Sequence, residues 1–396
     1  MTPPIHPFPA RMAPELALEK LRSLPVGSLV LDPMAGSGTV LRQATDLRQK
    51  AIGFDSDPLA VLMTRAWTTP VDDDVISGLA QTVMKEVVTL ETTRVSLPWI
   101  DDDAETTAFI TYWFTEPQRE ELRRLAHVLH RYSINMTTSA DKAALDVLKL
   151  ALSRIIVTKD KGVSLARDVS HSRPHRVVNM NSIPVRPAFE RSVRRVRKLL
   201  VAAPPYGGAE MNIGDARSVG SIHDGSIDAV LTSPPYLNAI DYMRGHRMSL
   251  VWLGHTLADL RAIRSTSIGS ERAPETRITH PRLAAIREAI GNLDALPVRF
   301  ARIVDRYVQD ISNVIAEISR VLRIGGHATF VVGNSCLRGV FIQNSEALVC
   351  AAELSSLRQI DRTERPLPLR SRYLPMTSKP LAKRMRTETI LSFTRM

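Results

Sequence analysis

The sequence predicts an α/β fold: a mixed, doubly wound sheet with a helical insertion. Three short apolar runs, at residues 28–31, 51–54 and 227–231, each end in a polar or glycine-rich turn, which is the pattern of buried parallel strands. Helical patterns alternate with these runs, as in sheets that carry helices on both faces. Between about residues 70 and 205 the pattern changes to long amphipathic helices, which indicates an insertion.

The remaining elements are predicted from the same periodicities. A turn at residues 323–326 should precede a strand at 328–333, and a last strand is expected at 389–393. Residues 256–292 are rich in Arg, Ser and Thr and are predicted to form a mobile basic loop. Helices are expected at residues 14–24, 39–47, 58–66, 116–132, 141–158 and 298–322. The predicted domains are a discontinuous core, residues 1–69 and 205–396, and a helical, basic insertion, residues 70–204.

The charge of the chain favours a polyanionic partner. The sequence has 52 Lys and Arg against 41 Asp and Glu, a net charge of +11, which is typical of nucleic-acid-binding proteins. Residues 154–198 alone contain 12 basic and three acidic side chains. A surface that is basic for solubility is the alternative.

Composition excludes several other classes of protein. No apolar stretch reaches the roughly 18 residues that span a bilayer, and the N-terminal residues lack the apolar run of a secretory signal, so we expect a cytoplasmic protein with no membrane partner. The two cysteines, Cys336 and Cys350, are too few for a disulfide framework or a four-cysteine zinc site. Both are expected to be buried structural residues, and no metal site is predicted.

A glycine-rich loop follows the first predicted strand. Residues 31–39 read LDPMAGSGT, in which Gly36 and Gly38 allow a tight turn and let a ligand approach the backbone. Amide groups at the start of the following helix, near Thr39, can meet a carboxylate. A plain strand-to-helix turn is the alternative. The loop lacks the spacings of dinucleotide and P-loop motifs, which disfavours a nucleoside triphosphate.

Two acids are placed for a nucleoside. Asp55 ends the second strand, within residues 53–58, GFDSDP, where a carboxylate can accept protons from both ribose hydroxyl groups. Asp57 is instead expected to cap the next helix, with Pro58 at its first position. Asp215 follows the insertion and is placed to meet an adenine amine, although a simple Gly-Asp turn is an equal alternative.

The motif TSPPY, residues 232–236, follows the third strand. Two consecutive prolines donate no hydrogen bonds, so carbonyl groups at this strand end are left facing the crevice, where an amino group would satisfy them. Tyr236 offers a ring on which an extruded base can stack, and the Ser233 hydroxyl can bind the base edge. A simple strand terminator is the alternative.

Further polar residues lie near this motif in the sequence. Residues 237–247 suit a lip around an extruded nucleotide, with Arg244 and Arg247 placed for phosphate, and a capped surface helix is the alternative. Asn334 is a substrate contact or a turn former. The basic run at residues 379–386 is a contact for a DNA backbone or a solvated face.

Together these segments resemble the amino-methylating DNA methyltransferases, over residues 1–66 and 210–395. The resemblance implies a Rossmann-like class I methyltransferase core and the cofactor S-adenosyl-L-methionine. The N-terminal segment HPFPARM, residues 6–12, is similar to the segment that covers the methionine end of the cofactor. The implied catalytic residues are Ser233, Pro234, Pro235 and Tyr236. The implied cofactor-binding residues are Pro7, Phe8, Arg11, Asp32, Pro33, Ala35, Gly36, Ser37, Gly38, Thr39, Asp55, Ser56, Asp215 and Ala216.

The same resemblance implies a function. Ser-Pro-Pro-Tyr more often accompanies cytosine N4 methylation in this family, so we expect direct methyl transfer to a flipped cytosine in double-stranded DNA, with Ser233 and the Pro234 carbonyl group accepting the amine protons. A cognate restriction or defence partner is compatible with this family. The alternatives are adenine N6 methylation of DNA, methylation of an RNA base, and a non-catalytic DNA-binding protein.

Overall fold

The computed structural model describes residues 2–9, 11–159, 162–168, 174–237, 241–269, 280–366 and 387–396. The strands are β1 Leu29–Asp32, β2 Lys50–Asp55, β3 Ala166–Arg167, β4 His175–Arg176, β5 Ala209–Ile213, β6 Ile227–Thr232, β7 Leu322–Val332, β8 Ser335–Leu337, β9 Val340–Ile342, β10 Leu357–Pro366 and β11 Thr387–Arg395. The helices are α1 Pro14–Leu21, α2 Thr39–Asp46, α3 Pro58–Thr68, α4 Asp73–Thr89, α5 Pro98–Asp101, α6 Ala104–Trp113, α7 Glu116–Asn135, α8 Ser139–Ile156, α9 Val185–Ala202, α10 Tyr242–Leu250, α11 Leu257–Thr266, α12 Pro281–Ala289, α13 Val298–Val321 and α14 Asn344–Glu353.

Within the described residues, seven strands form one mixed sheet in the order β10-β11-β7-β6-β1-β2-β5. β11 is antiparallel to both of its neighbours, and the other pairings are parallel. The predicted mixed, doubly wound sheet is confirmed, with a Rossmann-like strand order. From β1 the chain builds outward to β2 and β5 and then returns to β6 on the other side of β1. Ligands of such sheets bind where the strand order reverses, at the carboxyl ends of the strands, here those of β1 and β6.

Two predictions of irregular structure are wrong. The expected turn at residues 323–326 lies inside β7, where the pairing with β6 jumps from Ile227↔Leu322 to Ala229↔His327 and forms a bulge. The expected loop at residues 256–292 contains α11 and α12, while residues 270–279 lie outside the described residues. Thr256 and Asp259 form a reciprocal capping box at the start of α11. The capping hydrogen bonds satisfy the first amides of that helix. The spacing of Thr256 and Asp259 is therefore a local signal for a helix start within this basic segment.

The helices within residues 70–204 share a hydrophobic core with the sheet domain. α8 packs against both α3 and α10, and one buried cluster contains Trp67 of α3, Leu152 of α8 and Trp252, which follows α10. The opposite face of the sheet is covered by α13 and α14, whose buried residues, such as Tyr307, pack with Phe330 of β7. The helical region is therefore one layer of the same folded unit, since its apolar faces are buried against α3.

Helix α9 separates apolar from basic side chains. Its buried face includes Phe189 and Val196, and its exposed positions include four basic residues, Arg191, Arg194, Arg195 and Lys198. Arg197 is instead paired with Asp73, through two hydrogen bonds of 2.7 Å. Four of the 12 basic residues within residues 154–198 are thus on one solvent-facing surface of α9.

Three further observations concern membrane spans, metal sites and the two cysteines. Among the described residues, no helix combines the length and the apolar composition that a membrane crossing needs. The same residues include no cluster of three or more His, Cys, Asp or Glu side chains that could hold a metal ion. Cys336 and Cys350 are half-buried, so the prediction that both are buried is wrong.

Candidate active site at the carboxyl ends of the strands

The glycine-rich loop and the TSPPY motif leave the sheet side by side. β1 and β6 pair in parallel, with Leu31 opposite Val230, and Thr232 Oγ1 donates a hydrogen bond of 2.7 Å to Asp32 Oδ1. The same carboxylate oxygen accepts from the Met34 amide at 3.2 Å. Asp32 is only 3% exposed, and burial raises its pKa to about 7. Asp32 therefore accepts hydrogen bonds from both segments and holds the glycine-rich loop next to the TSPPY motif.

The two loop glycines are required by neighbouring side chains. Gly36 and Gly38 have φ angles of +51° and +82°, which disfavour a side chain. A Cβ atom on Gly38 would lie 2.7 Å from side-chain atoms of Thr64, and one on Gly36 would lie 3.2 Å from the Phe8 ring. The sequence predicts that a ligand needs this space, whereas the structure has protein neighbours at both positions.

Several side chains at this loop carry unpaired polar atoms. Ser37 Oγ and Thr39 Oγ1 are buried and have no hydrogen-bond partner among the described residues, and the same holds for Gln43 Nε2 one turn further along α2. Arg11 Nη1 is also buried and unpaired there, and its guanidinium lies 5.9 Å from the Trp67 ring centre. Buried polar groups normally have partners, so this donor set fits an anionic, hydrogen-bonding ligand such as a carboxylate.

Asp55 holds the glycine loop from the next strand. Its Oδ2 accepts from the Gly36 amide at 2.8 Å, and its Oδ1 accepts from the Asp57 amide at 2.9 Å. Burial, followed by the nearby charge of Asp57, raises the pKa of Asp55 to about 6. A carboxylate has further lone pairs, so Asp55 can still accept hydrogen bonds from a ribose.

Asp57 has the capping role that was predicted for it. Its side chain accepts from the Leu59 amide at 2.9 Å, and Pro58 begins α3. Its second oxygen binds Nδ1 of His246, a buried residue of α10. Burial would raise the pKa of Asp57, but the interaction with His246 together with the hydrogen bonds from the Leu59 and Ala60 amides lowers it.

The N-terminal segment lies over the loop. The Phe8 ring stacks on Tyr242 with a centroid distance of 5.1 Å and an interplanar angle of 16°. The same ring lies 5.7 Å from His246 and contacts Gly36. Phe8 therefore packs between the glycine loop and α10, while Pro7 is exposed.

The TSPPY motif is partly buried at the end of β6. Ser233 Oγ donates to the Val331 carbonyl oxygen at 2.9 Å, which leaves the lone pairs of the hydroxyl group able to accept a hydrogen bond. Pro234 is buried, and Pro235 and Tyr236 are half-buried. Burial, followed by the charge of Glu388, raises the pKa of Tyr236, so the phenol stays neutral.

Asp215 is already paired in the structure. Arg217 Nε donates to both of its carboxylate oxygens, at 2.9 and 3.1 Å, and Arg217 Nη1 binds Asp310 at 2.6 Å. The Asp215 carbonyl group accepts from the Ser218 amide at 2.9 Å, which closes a turn. Burial would raise the pKa of Asp215, but its bonds to Arg217 lower it. Asp215 lies at the same edge as Asp55, since Asp55 pairs with Ile213.

The other predicted cofactor residues lie on this edge as well. Ala35 donates its amide to the Phe54 carbonyl oxygen at 2.9 Å. Pro33, Ala35 and Ala216 are buried, and Ser56 is half-buried.

No family model and no curated protein matches the sequence. Among solved structures, a SAM-dependent methyltransferase from Methanosarcina mazei is similar, with 9% identity and a TM-score of 0.34 over 97% of this chain and 98% of that chain. TrmN from Thermus thermophilus has 9% identity and a TM-score of 0.33, over 97% and 49%. A provisionally assigned DNA modification methylase from the same organism, complexed with S-adenosyl-L-methionine, has 18% identity and a TM-score of 0.25, over 46% and 53%. These TM-scores lie below 0.5, so the likenesses carry no functional weight for this chain.

The residues predicted as further substrate or DNA contacts differ in exposure and in their hydrogen bonds. Arg244 is exposed on α10, and Arg247 lies 5.2 Å from the Phe109 ring centre with a buried, unpaired Nε among the described residues. Asn334 Oδ1 accepts from the amide and the hydroxyl group of Ser345, at 3.0 and 3.1 Å, so it supports the start of α14. Residues 238–240 of the predicted lip and the basic run at 379–386 lie outside the described residues.

Sequence reasoning missed three residues of this site. His246 lies in the polar segment 237–247, Gln43 lies in the helix predicted at 39–47, and Glu388 directly precedes the strand predicted at 389–393. Glu388 is half-buried on β11, directly before Thr389, which pairs with Val332 at the carboxyl end of β7. A signal for Gln43 was present, since it lies four residues after Thr39 and therefore on the same helix face. The other two depend on contacts between distant segments.

Proposed function

We propose that this chain is a DNA methyltransferase that transfers a methyl group from S-adenosyl-L-methionine to the exocyclic amine of a flipped base, with cytosine N4 as the preferred target. The observation that carries the proposal is the Thr232–Asp32 hydrogen bond of 2.7 Å. It fastens the proline pair beside the glycine-rich loop at the point where the strand order reverses. A donor bound at that loop and an amine bound at the proline pair would therefore be neighbours.

The residues at the loop fit the cofactor. Ser37, Thr39 and Arg11 present buried donors without a partner in the described part of the chain; these suit its carboxylate, and the start of α2 adds backbone amides. Asp55 has lone pairs left for the ribose hydroxyl groups. Asp215 would reach the adenine amine with a carboxylate already oriented by Arg217. When bound, the cofactor supplies a methyl group activated by its attachment to a positively charged sulfur atom.

The residues after β6 fit the acceptor. A base amine conjugated with its ring is a weak nucleophile, so its protons must be held away from the ring plane. The Pro234 carbonyl group and Ser233 Oγ would accept hydrogen bonds from the two N–H groups, which draws the nitrogen toward tetrahedral geometry and turns its lone pair toward the methyl group. The Tyr236 ring, kept neutral by burial, would stack on the extruded base.

The basic surfaces fit a DNA duplex. Arg191, Arg194, Arg195 and Lys198 are exposed along α9, and Arg244 is exposed on the helix that follows the catalytic segment. Contacts of this kind neutralise phosphates irrespective of base sequence. In this proposal, residues 70–204 contact DNA, and residues 1–69 and 205–396 carry the chemistry.

The test is transfer of tritium from labelled cofactor to duplex DNA and, separately, to total RNA. We expect labelled DNA, with N4-methylcytosine as the product on nucleoside mass spectrometry. Asp55→Ala and Tyr236→Ala provide matched controls with reduced transfer, one at the cofactor side and one at the base side.

Each alternative has its own outcome. N6-methyladenine in labelled DNA would change the base but keep the reaction. Labelled RNA with unlabelled DNA would overturn the DNA substrate. DNA binding without any transfer would favour a non-catalytic DNA-binding protein.

A further inference from the structure

Five residues from four segments of the chain form a closed ring of contacts around the glycine-rich loop. The Gly36 amide donates to Asp55 at 2.8 Å, and Asp55 accepts from the Asp57 amide at 2.9 Å. Asp57 binds His246 Nδ1. The His246 ring lies 5.7 Å from the Phe8 ring, and Phe8 returns to Gly36, where an added Cβ atom would lie 3.2 Å from its ring.

The hydrogen bond between Asp57 and His246 connects the strand-end residues of this closed set of contacts to α10. Gly36, Asp55 and Asp57 belong to the carboxyl ends of β1 and β2, the edge assigned to the cofactor, whereas His246 belongs to α10, the helix that follows the base-binding segment. Both side chains are buried, with 7% and 5% exposure. A buried charge-assisted hydrogen bond is costly to break. A movement of Asp57 should therefore shift His246, and a movement of His246 should shift Asp57.

The chemistry of the pair fixes the direction of the hydrogen bond. Asp57 has a lowered pKa and is ionised, and an ionised carboxylate only accepts hydrogen bonds. His246 therefore donates from Nδ1. Its ring faces Phe8 and Tyr242, at 5.7 and 6.3 Å, so the same side chain orients both the carboxylate and the aromatic stack over the loop.

We propose that His246 is a positioning residue that couples cofactor binding to the position of α10. This inference rests on the proposed function, because it assigns the cofactor to Gly36 and Asp55 and the base to the segment before α10. A ligand that contacts Phe8 and Asp55 restricts the motion of two of these five residues. The Asp57–His246 hydrogen bond then restricts the motion of α10 as well. Such a coupling is reciprocal, so a substrate held by α10 strengthens cofactor binding equally.

The test is hydrogen exchange of residues 242–250 with and without the cofactor analogue sinefungin, at a concentration shown by calorimetry to saturate each variant. In the wild-type protein, sinefungin should slow exchange across α10 about five-fold or more. In His246→Gln, the protection should be confined to the glycine loop and the start of α2. His130→Gln is the matched control, because His130 also packs its ring on an aromatic side chain, Trp99 at 4.6 Å, but lies outside the ring of contacts. It should behave like the wild type.

Asp57→Asn is the second variant, in case His246→Gln lowers the melting temperature too far to be measured. Asparagine caps helices as well as aspartate does, so α3 keeps its cap while the charge that binds His246 is lost. Protection of α10 that persists in either variant, or that is absent in the wild type with sinefungin bound, would overturn the coupling role. Failure of sinefungin to bind the wild type at all would instead reject the proposed function.

Discussion

Substitution of Gly38 by alanine tests whether protein packing, rather than space for a ligand, requires glycine in the loop. Gly38 precedes α2 with a φ angle of +82°. An added Cβ atom would lie 2.7 Å from Cγ2 and Oγ1 of Thr64 and 2.9 Å from its Cβ. These atoms belong to α3, which is held against the loop by the Thr64–Gly36 hydrogen bond of 3.1 Å.

The expected cost has two parts. Holding alanine in the left-handed region costs about 1–2 kcal/mol, and forcing a methyl group into a packed site costs about 1–3 kcal/mol more. Gly38→Ala should therefore lower the free energy of unfolding by about 2–5 kcal/mol. Gly27→Ala isolates the first part, because Gly27 has a φ angle of +84° and no described atom lies within 4 Å of an added Cβ. It should cost only about 1–2 kcal/mol.

Urea unfolding of the two variants and the wild type measures both values. The double variant Gly38→Ala/Thr64→Ala should recover part of the difference, since it removes the two atoms at 2.7 Å and keeps the Cβ at 2.9 Å. If Gly38→Ala is no less stable than Gly27→Ala, the contact with Thr64 has no energetic importance and the packing explanation fails.

Three other predictions concern the proposed reaction. Tyr236→Ala should lower turnover about 5- to 150-fold with cofactor affinity retained, because it removes base stacking of about 1–3 kcal/mol; single-turnover kinetics and calorimetry measure the two effects. Cofactor affinity should fall as the pH drops below about 6, since burial and then the Asp57 charge raise the pKa of Asp55 to about 6 and a protonated carboxyl group accepts fewer hydrogen bonds; calorimetry from pH 5 to 8 would show it. Arg191→Gln/Arg194→Gln should reduce the slope of log DNA affinity against log salt concentration by about 1.8, or about 0.9 for each lost phosphate contact.

Each of these has a control and a contrary result. Tyr236→Phe keeps the ring and should retain turnover, and equal turnover in Tyr236→Ala would remove this residue from the site. Asp55→Asn should bind the cofactor weakly without a change near pH 6, and an unaltered pH profile in that variant would show that another group titrates. An unchanged salt slope in the arginine variant would place the DNA on another surface. Exposed Arg48, which lies 3.9 Å over the Tyr206 ring, provides a control substitution away from α9.

The sequence alone determined the features whose causes are local. Periodicity located the strands β1, β2 and β6, because buried parallel strands are short apolar runs. The pair Asp57-Pro58 predicted the start of α3, since capping depends on residues within one turn of each other. The order of glycine loop, acid and proline pair along the chain was sufficient to place them at the same sheet edge, because parallel strands all end there.

Tertiary structure decided the features that depend on distant partners. His246 meets Asp57 across 189 residues, and Gly38 is limited by Thr64 on another helix, so neither contact has a signature in neighbouring positions. The turn-like Arg-Ile-Gly-Gly sequence lies inside β7 as a bulge between Leu322 and His327, which pair with Ile227 and Ala229 of β6, because strand pairing on both sides keeps these unpaired residues within the strand. Local composition specifies which backbone conformations a segment favours, whereas burial and long-range contacts decide which side chains meet.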